Sequence, residues 1–362
     1  MDFDLFLNAC FFDRPKILAA ARERASTISE FMEIIDAFCT ECCPRSSKTI
    51  QDRARRFDRG KLDAMLEQYE IQVLSIDSDD YPVSLAEIPY PPPVLFYKGN
   101  PKLLSGQNLA VVGTRNPSKY GQQVTQSLIL EIASSVNIVS GLALGIDAIA
   151  HHHCLKAKGN PIAVIANGLD DIQPARNRIL GQSVIQEGVL VSEFPPGVGA
   201  AAHHFPQRNR IISGLSTAVL VIEAAAKSGA LITARLAMEQ NREVLAVPGS
   251  VFSEVSVGTN QLIQDGAKMV TQLSDILEEF LPGYQRPATP QIPEQNPAPR
   301  RELPTLTEQE KTVLDAIKGS MHLEEISDIT GMAIPILCSP VTSLVLKDVI
   351  KEVQPNTYAI DA

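Results

Sequence analysis

Two hydrophobic periods divide the chain. Over the first 80 residues apolar positions recur at helical spacing, as in LDAMLEQYEI, and strand-type alternation is scarce. From residue 108 short apolar runs take over: LAVVG, NIVSG, IAVIA, VLVSE, AVLVIE and EVLAVPG, with amphipathic stretches between them. Runs this short, with little polar alternation, suit strands buried on both faces and separated by helices. The pattern predicts an α/β fold: a Rossmann-like doubly wound parallel sheet reaching about residue 280. Asp80-Tyr81-Pro82 and Pro91-Pro92-Pro93 mark turning or extended backbone ahead of it.

The pattern then breaks. Residues 282–304 (PGYQRPATPQIPEQNPAPRRELP) are rich in Pro and Gln and too poor in apolar positions to build a core, which predicts a semi-extended tether. Beyond it LTEQEKTVLDAI, HLEEISDITG and IPILCSPVTSLVLKDVI read as three short helices and KEVQPNTYAI as a β-wing. The expected layout is a helical, SAM-like N-terminal domain (1–80), an extended Rossmann-like domain (81–281), a linker (282–304) and a winged helix (305–362).

Composition narrows the function. The 362 residues are 44% hydrophobic and 20% charged, as in an ordinary soluble protein, and no run approaches a membrane span. The N-terminus carries acids where a signal peptide has Lys or Arg, and six scattered Cys do not form a secreted disulfide framework. A cytoplasmic chain with reduced thiols is expected. A net charge of −10 argues against coating duplex DNA, which needs many Lys and Arg contacts to phosphate. A local basic cleft remains open, because clefts focus field of one sign whatever the total charge. With no Trp and 5% aromatics, a row of stacking rings is not expected to be the main binding device.

The candidate chemistry lies at the strand ends. Open α/β sheets bind ligands beyond the carboxyl ends of their strands, where helix N-termini present free N–H groups. The first run ends in Gly113-Thr114-Arg115, where Gly113 would admit a phosphate to the backbone and Arg115 could pair with it bidentately. The second ends in Ser140-Gly141-Leu142-Ala143-Leu144-Gly145-Ile146-Asp147, another backbone nest, with Asp147 placed to interact with the helix dipole. Phe205-Pro206-Gln207-Arg208-Asn209-Arg210 is the densest polar cluster. Two arginines there need anionic partners, either a ligand or Glu193 and Glu223, with one arginine structural and the other facing ligand. Lys227-Ser228-Gly229 adds a fourth loop. Together these loops would make a positive crevice suited to sugar–phosphate backbone. Neither G-x-G-x-x-G nor G-x-x-x-x-G-K-[ST] occurs, which disfavours a dinucleotide and a P-loop nucleotide.

Taken in order, GTR, SGLALGIDAIAH, SEFPPG, FPQRNRIISGLS, VIEA, KSGALITA, REVLAVPG and GTNQLI resemble the DNA-processing protein A (DprA/Smf) family across about residues 70–280. The resemblance implies a non-enzymatic, dimeric binder of single-stranded DNA that protects incoming strands and loads a RecA-type recombinase during natural transformation. Position by position, it implies DNA contact by Gly113, Thr114, Arg115, Ser140, Gly141, Arg208, Asn209, Arg210, Lys227 and Gly229, and a self-association face at Leu262, Ile263 and Met269. The chain departs from the family at Leu144, where many members have Lys, and at Ala166, which replaces a Gly. It departs again at Ala175, where a basic residue often follows Tyr-Pro, and Arg176 and Arg178 are the candidate substitutes.

Other motifs are weaker. Consecutive His151, His152 and His153 cannot converge on one ion while helical, and Cys39-x-x-Cys42-Cys43 has no second pair nearby. No metal or cofactor is expected, and His203-His204 are candidate pocket-lining groups. The rival expectation is a small-nucleotide sensor or hydrolase of the same superfamily. Residues 221–229 (VIEAAAKSG) lack the P-G-G-x-G-T loop such enzymes carry. In the last helix, about 334–347, Lys347 alone is cationic, with Asp348 next to it, so a protein-contact or regulatory role is expected at least as much as groove binding.

Overall fold

The computed structural model describes residues 1–280, 306–347 and 349–360. The chain divides into two compact units, Met1–Gln285 and Arg286–Ala362. The linker expected at 282–304 lies outside the described residues.

The first unit begins with five helices: α1 (Asp2–Phe11), α2 (Pro15–Arg24), α3 (Ile28–Cys42), α4 (Ser47–Arg56) and α5 (Arg59–Gln68). The first four close on their own core, where Phe6, Phe11, Phe31 and Phe38 are fully buried and meet mostly edge to face. The chain then enters the sheet through β1 (Gln72–Ser75), α6 (Val83–Ala86) and β2 (Val94–Gly99). β1 falls inside the stretch expected to be helical. Its four residues QVLS are too short a run to show a period of two, and they pair antiparallel with β2.

Alternating elements follow: β3 (Asn108–Val112), α7 (Lys119–Ile132), β4 (Asn137–Ser140), α8 (Ile146–Lys156), β5 (Pro161–Val164), α9 (Arg178–Glu187) and β6 (Val189–Ser192). The second half runs through α10 (His204–Gly214), β7 (Ala218–Val221), α11 (Gly229–Glu239), β8 (Glu243–Ala246), α12 (Val257–Gln264), β9 (Lys268–Met269) and α13 (Leu273–Phe280). The nine strands lie in the order β1-β2-β6-β5-β4-β3-β7-β8-β9, parallel except at β1 and β2. β3 to β6 step outward in one direction, and β7 then returns to the other side of β3. The loops after β3 and β7 therefore leave neighbouring strands toward opposite faces, which opens a crevice at the strands' carboxyl ends. α10 and α11 pack on one face of the sheet, and α7, α8 and α13 on the other. At the opposite end of the strands, Asn160 donates to Asn137 and Asn137 to Asn108, each at 2.9 Å, tying β3 to β4 and to the start of β5.

The helical layer is fastened to the sheet beside α10. Asn8 donates to the Glu193 carbonyl at 2.9 Å, and Gln207 donates to the carbonyl of Phe12. Phe12 meets Phe194 and His204 edge-on, and those two rings stack at 4.4 Å. Beneath this seam Arg210 and Glu193 form an ion pair whose side chains are 8% and 5% exposed.

The second unit holds α14 (Glu308–Ala316), α15 (Leu323–Thr330) and α16 (Ile334–Leu346) with a small antiparallel sheet. Its strands β10 (Met321–His322), β11 (Ile350–Gln354) and β12 (Thr357–Ile360) lie in the order β10-β12-β11. Among the described residues no single helix is long and apolar enough to cross a membrane.

Removing one member of a buried ion pair strands the other charge, which costs about 3–5 kcal/mol, whereas replacing both by apolar groups costs little. Arg210→Met is expected to lower stability in urea unfolding by about that amount, and Arg210→Met with Glu193→Leu to regain most of it. An Arg210→Met protein as stable as its parent contradicts the role of this seam.

Candidate nucleic-acid interface

The loops after β3, β4 and β7 and the first turns of α10 enclose a cavity of about 370 Å³ at the carboxyl edge of the sheet. Gly113, Thr114, Arg115, Arg208, Asn209, Lys227 and Gly229 all line it. An adjoining cavity of about 140 Å³ shares Arg115, Phe205 and Arg208 with the first and adds Gly141.

Local packing fixes the loop after β3. The Thr114 N–H donates to the Glu223 carbonyl at 2.8 Å, and the Thr114 carbonyl accepts from Ile146 at 3.2 Å. Gly145 takes a φ of +82°, and a β-carbon there would sit 2.3 Å from the Thr114 carbonyl oxygen, so the two loops interlock only with glycine at that position. Gly113 is also a matter of packing. A β-carbon on it would meet the Ile146 side chain at 2.6 Å, so its role is closure against α8 rather than room for a phosphate. Buried Glu223 accepts from the Ser118 N–H at 2.9 Å and from its hydroxyl at 2.5 Å. A carboxylate at the start of α7 suits the helix dipole and holds the far end of the Arg115 loop.

Arg208 forms the floor. Its guanidinium donates to the carbonyls of Gly141, at 2.8 Å, and Val164, which end β4 and β5. Asp147 faces it, with a carboxylate that accepts from the Gly141 N–H at 3.1 Å. Burial pulls the Arg208 pKa down to about 10 against the Asp147 charge, with Arg115 adding to the fall, so Arg208 stays charged at neutral pH. Burial likewise raises the Asp147 carboxyl, opposed chiefly by Arg208. Gly141 leaves space for the guanidinium, since a β-carbon there would lie 2.6 Å from it.

Above the floor the site is open. Arg115 is exposed, and its guanidinium stands 5.2 Å from the centre of the Phe205 ring, with that of Arg208 at 6.0 Å. Lys227 is exposed and makes no ion pair among the described residues. Ser228 caps α11 through the Ala230 N–H, and Gly229 has open space where a side chain would be. The crevice thus offers exposed cations, a helix start and one aromatic face, features that suit a phosphate chain carrying bases.

Several expected residues lie elsewhere. Arg210 is two residues from Arg208 but points to the seam, where Glu193 consumes its charge. Ser140 is buried, and its hydroxyl donates to the Val111 carbonyl at 2.7 Å. Arg178 pairs with Asp171 at 2.9 Å on the surface, and neither it nor exposed Arg176 lines the crevice. Leu144 and Ala166 line the adjoining cavity, whereas Ala175 is exposed outside it. His204 is spent against Phe194, and His203 is exposed outside both cavities. Leu262 is 8% exposed in the core beneath α11 with Ile263 packed against it, while Met269 stands 50% exposed on the edge strand. His151 is buried beside Ser140, and burial lowers its pKa to about 4. Among the described residues no three His, Cys, Asp or Glu are grouped to hold a metal ion.

Sequence reasoning missed Phe205 as a ring flanked by two arginines, and it gave Asp147 only a dipole role. The spacing Phe205-x-x-Arg208 on a helix was the available signal for the ring.

Comparisons with known proteins find relatives over the sheet-bearing part of the chain. The family described as DNA recombination-mediator protein A matches residues 72–281, from β1 through α13. The DNA processing protein DprA of Bacillus subtilis is 48% identical over 225 residues, which is 61% of this chain and 76% of that one. Its counterpart in Streptococcus pneumoniae is 46% identical over 206 residues, covering 57% of this chain and 73% of the relative. The X-ray structure of the pneumococcal protein superposes with a TM-score of 0.67 at 37% identity, covering 76% of this chain and 96% of that one. A structure of the Helicobacter pylori protein, described in terms of its single-stranded-DNA binding mode, gives 0.54 at 30% identity, covering 60% and 99%. By the match over most of its length, the chain belongs to the DNA recombination-mediator protein A family.

Proposed function

We propose that this chain is a non-enzymatic, cytoplasmic recombination mediator whose crevice grips the backbone of single-stranded DNA. The observation that carries the reading is the grouping of exposed Arg115 and Lys227 with the buried Arg208 charge around one aromatic ring, Phe205. Phosphates would lie against Arg115, Lys227 and the start of α11, with an unstacked base against Phe205. The description of the Helicobacter relative as a single-stranded-DNA binder supports the same ligand. As a homodimer, protomers would bridge or coat strands and hand them to a RecA-type recombinase.

The C-terminal unit fits a winged-helix reading, with three helices and a three-stranded sheet. Lys347 is held by Glu310 at 2.7 Å, while Ile336 and Leu346 on α16 are exposed. This favours a protein-contact role over groove binding.

Binding is expected to fall with salt, with little base preference and much poorer affinity for duplex. Each phosphate contact contributes about 0.7 to the slope of log K against log salt for single strands. Arg115→Ala and Lys227→Ala should each flatten the slope by about that much and weaken binding to all sequences alike. Fluorescence anisotropy against a labelled strand checks this. Unchanged affinity in a folded Arg115→Ala protein contradicts the site.

Phe205→Ala tests the ring separately. Losing one base–aromatic stack costs about 1–3 kcal/mol and leaves the salt slope unaltered. A changed slope with unchanged affinity would show that the ring does not meet a base.

A further inference from the structure

The basic residues of this acidic chain are not spread evenly. Between residues 45 and 61 seven positions are Lys or Arg and two are Asp, a local charge of +5 in a chain of net −10. Two of the seven are already spent: Arg53 pairs with Asp13 at 2.8 Å, and Arg59 pairs with Asp63 at 2.8 Å and with Asp2. Arg45, Lys48, Arg55, Arg56 and Lys61 are exposed, and their side chains have no hydrogen-bond or ion-pair partner among the described residues. Holding five such charges near one another is unfavourable without counter-ions, and a polyanion that displaces those ions gains their release.

The segment's position gives the charges a direction. α4 and α5 border an open cavity of about 650 Å³, lined by Arg56, Lys61, Phe57 and Met65 on one side and residues 195–198 on the other. Asp52 and Asp58 also line it, and Asp58 is engaged as the cap of α5, accepting from the Lys61 N–H at 3.1 Å. The turn across the cavity is pinned. The Gly197 N–H donates to Asp170 at 2.8 Å, and the Val198 carbonyl accepts from Gly168 at 2.8 Å. Val198 borders this cavity, and Ala200 borders the smaller cavity that holds Arg115, Phe205 and Arg208. Two residues of chain span at most about 7 Å, so the rims of the two cavities come close together along this turn.

We infer that the single strand gripped in the crevice continues over residues 195–200 and onto α4 and α5. Arg56 and Lys61 take further phosphates there, and half-buried Phe57 and Met65 give apolar surface to unstacked bases. The helical layer is then a second part of the DNA track as well as a packing partner of the sheet. Duplex DNA offers no free base faces to Phe57 and Met65, so the extension favours single strands. It rests on the crevice reading above and lengthens that site.

The test uses the intact chain with Arg56→Gln and Lys61→Gln together, and thymidine oligomers of about 6 and about 20 nucleotides, chosen to fill the crevice alone or to overrun it. Both side chains are exposed, and urea unfolding of the double variant verifies its fold. The expected result is unchanged binding of the short strand and about tenfold weaker binding of the long one. The salt slope for the long strand should fall by about 1.4, the value for two lost phosphate contacts. Unchanged long-strand affinity and slope in the folded variant overturn the inference. So does an equal loss on both lengths, which would place these cations in the crevice's own grip. Failure of the crevice reading looks different: the unmodified chain then binds neither length, and the extension falls with it.

Discussion

The site depends on one buried charge. Arg208 brings a guanidinium to the carboxyl edge of the sheet, where the carbonyls ending β4 and β5 accept its N–H groups and Asp147 supplies the opposite charge. Desolvating a cation is costly unless its donors are met and an anion is near, and this arrangement supplies both. The surroundings follow from that need. Gly141 must lack a side chain, Asp147 must begin α8, and α10 must present its first turns to the strand ends. Exposed Arg115 and Lys227 then stand at the rim above a guanidinium whose charge Asp147 balances.

The neighbouring arginine has the opposite task. Helical residues two apart lie about 200° apart around the axis, so Arg208 and Arg210 cannot serve the same surface. One faces the crevice, and the other locks Glu193 under the helical layer. Through this division α10 links the crevice and the seam with the helical layer in a single element. Disturbing the seam is expected to move the first turn that carries Phe205 and Arg208.

The six central strands were legible because strands buried on both faces leave continuous apolar runs, and the loops after them announced the crevice. Thr114-Arg115 and Lys227-Ser228-Gly229 were readable as crevice-lining residues from their place after a run, and Asn209 from the polar cluster of α10. Less was legible where meaning depends on what lies across space. The Arg208–Arg210 pair signalled that one charge would be structural and the other would face the crevice, but only the packing of Glu193 decides which. Ser140, Arg176 and Arg178 sit at the right distance along the chain but do not line the crevice. Leu262 belongs to the core because α12 carries it into the cluster that holds Ala230 and Ala234 of α11, a placement its sequence neighbours do not reveal. β1 was hidden by its brevity.

The most direct test of the central claim is photo-crosslinking of a single strand carrying 5-bromouracil, with the adduct mapped by mass spectrometry. The account predicts adducts in the peptide that carries Phe205, lost when Arg115 is replaced by Ala and when unlabelled single strand competes. Adducts confined to other surfaces, with none in residues 203–214, would contradict it and place the strand outside the crevice that Arg208 supports.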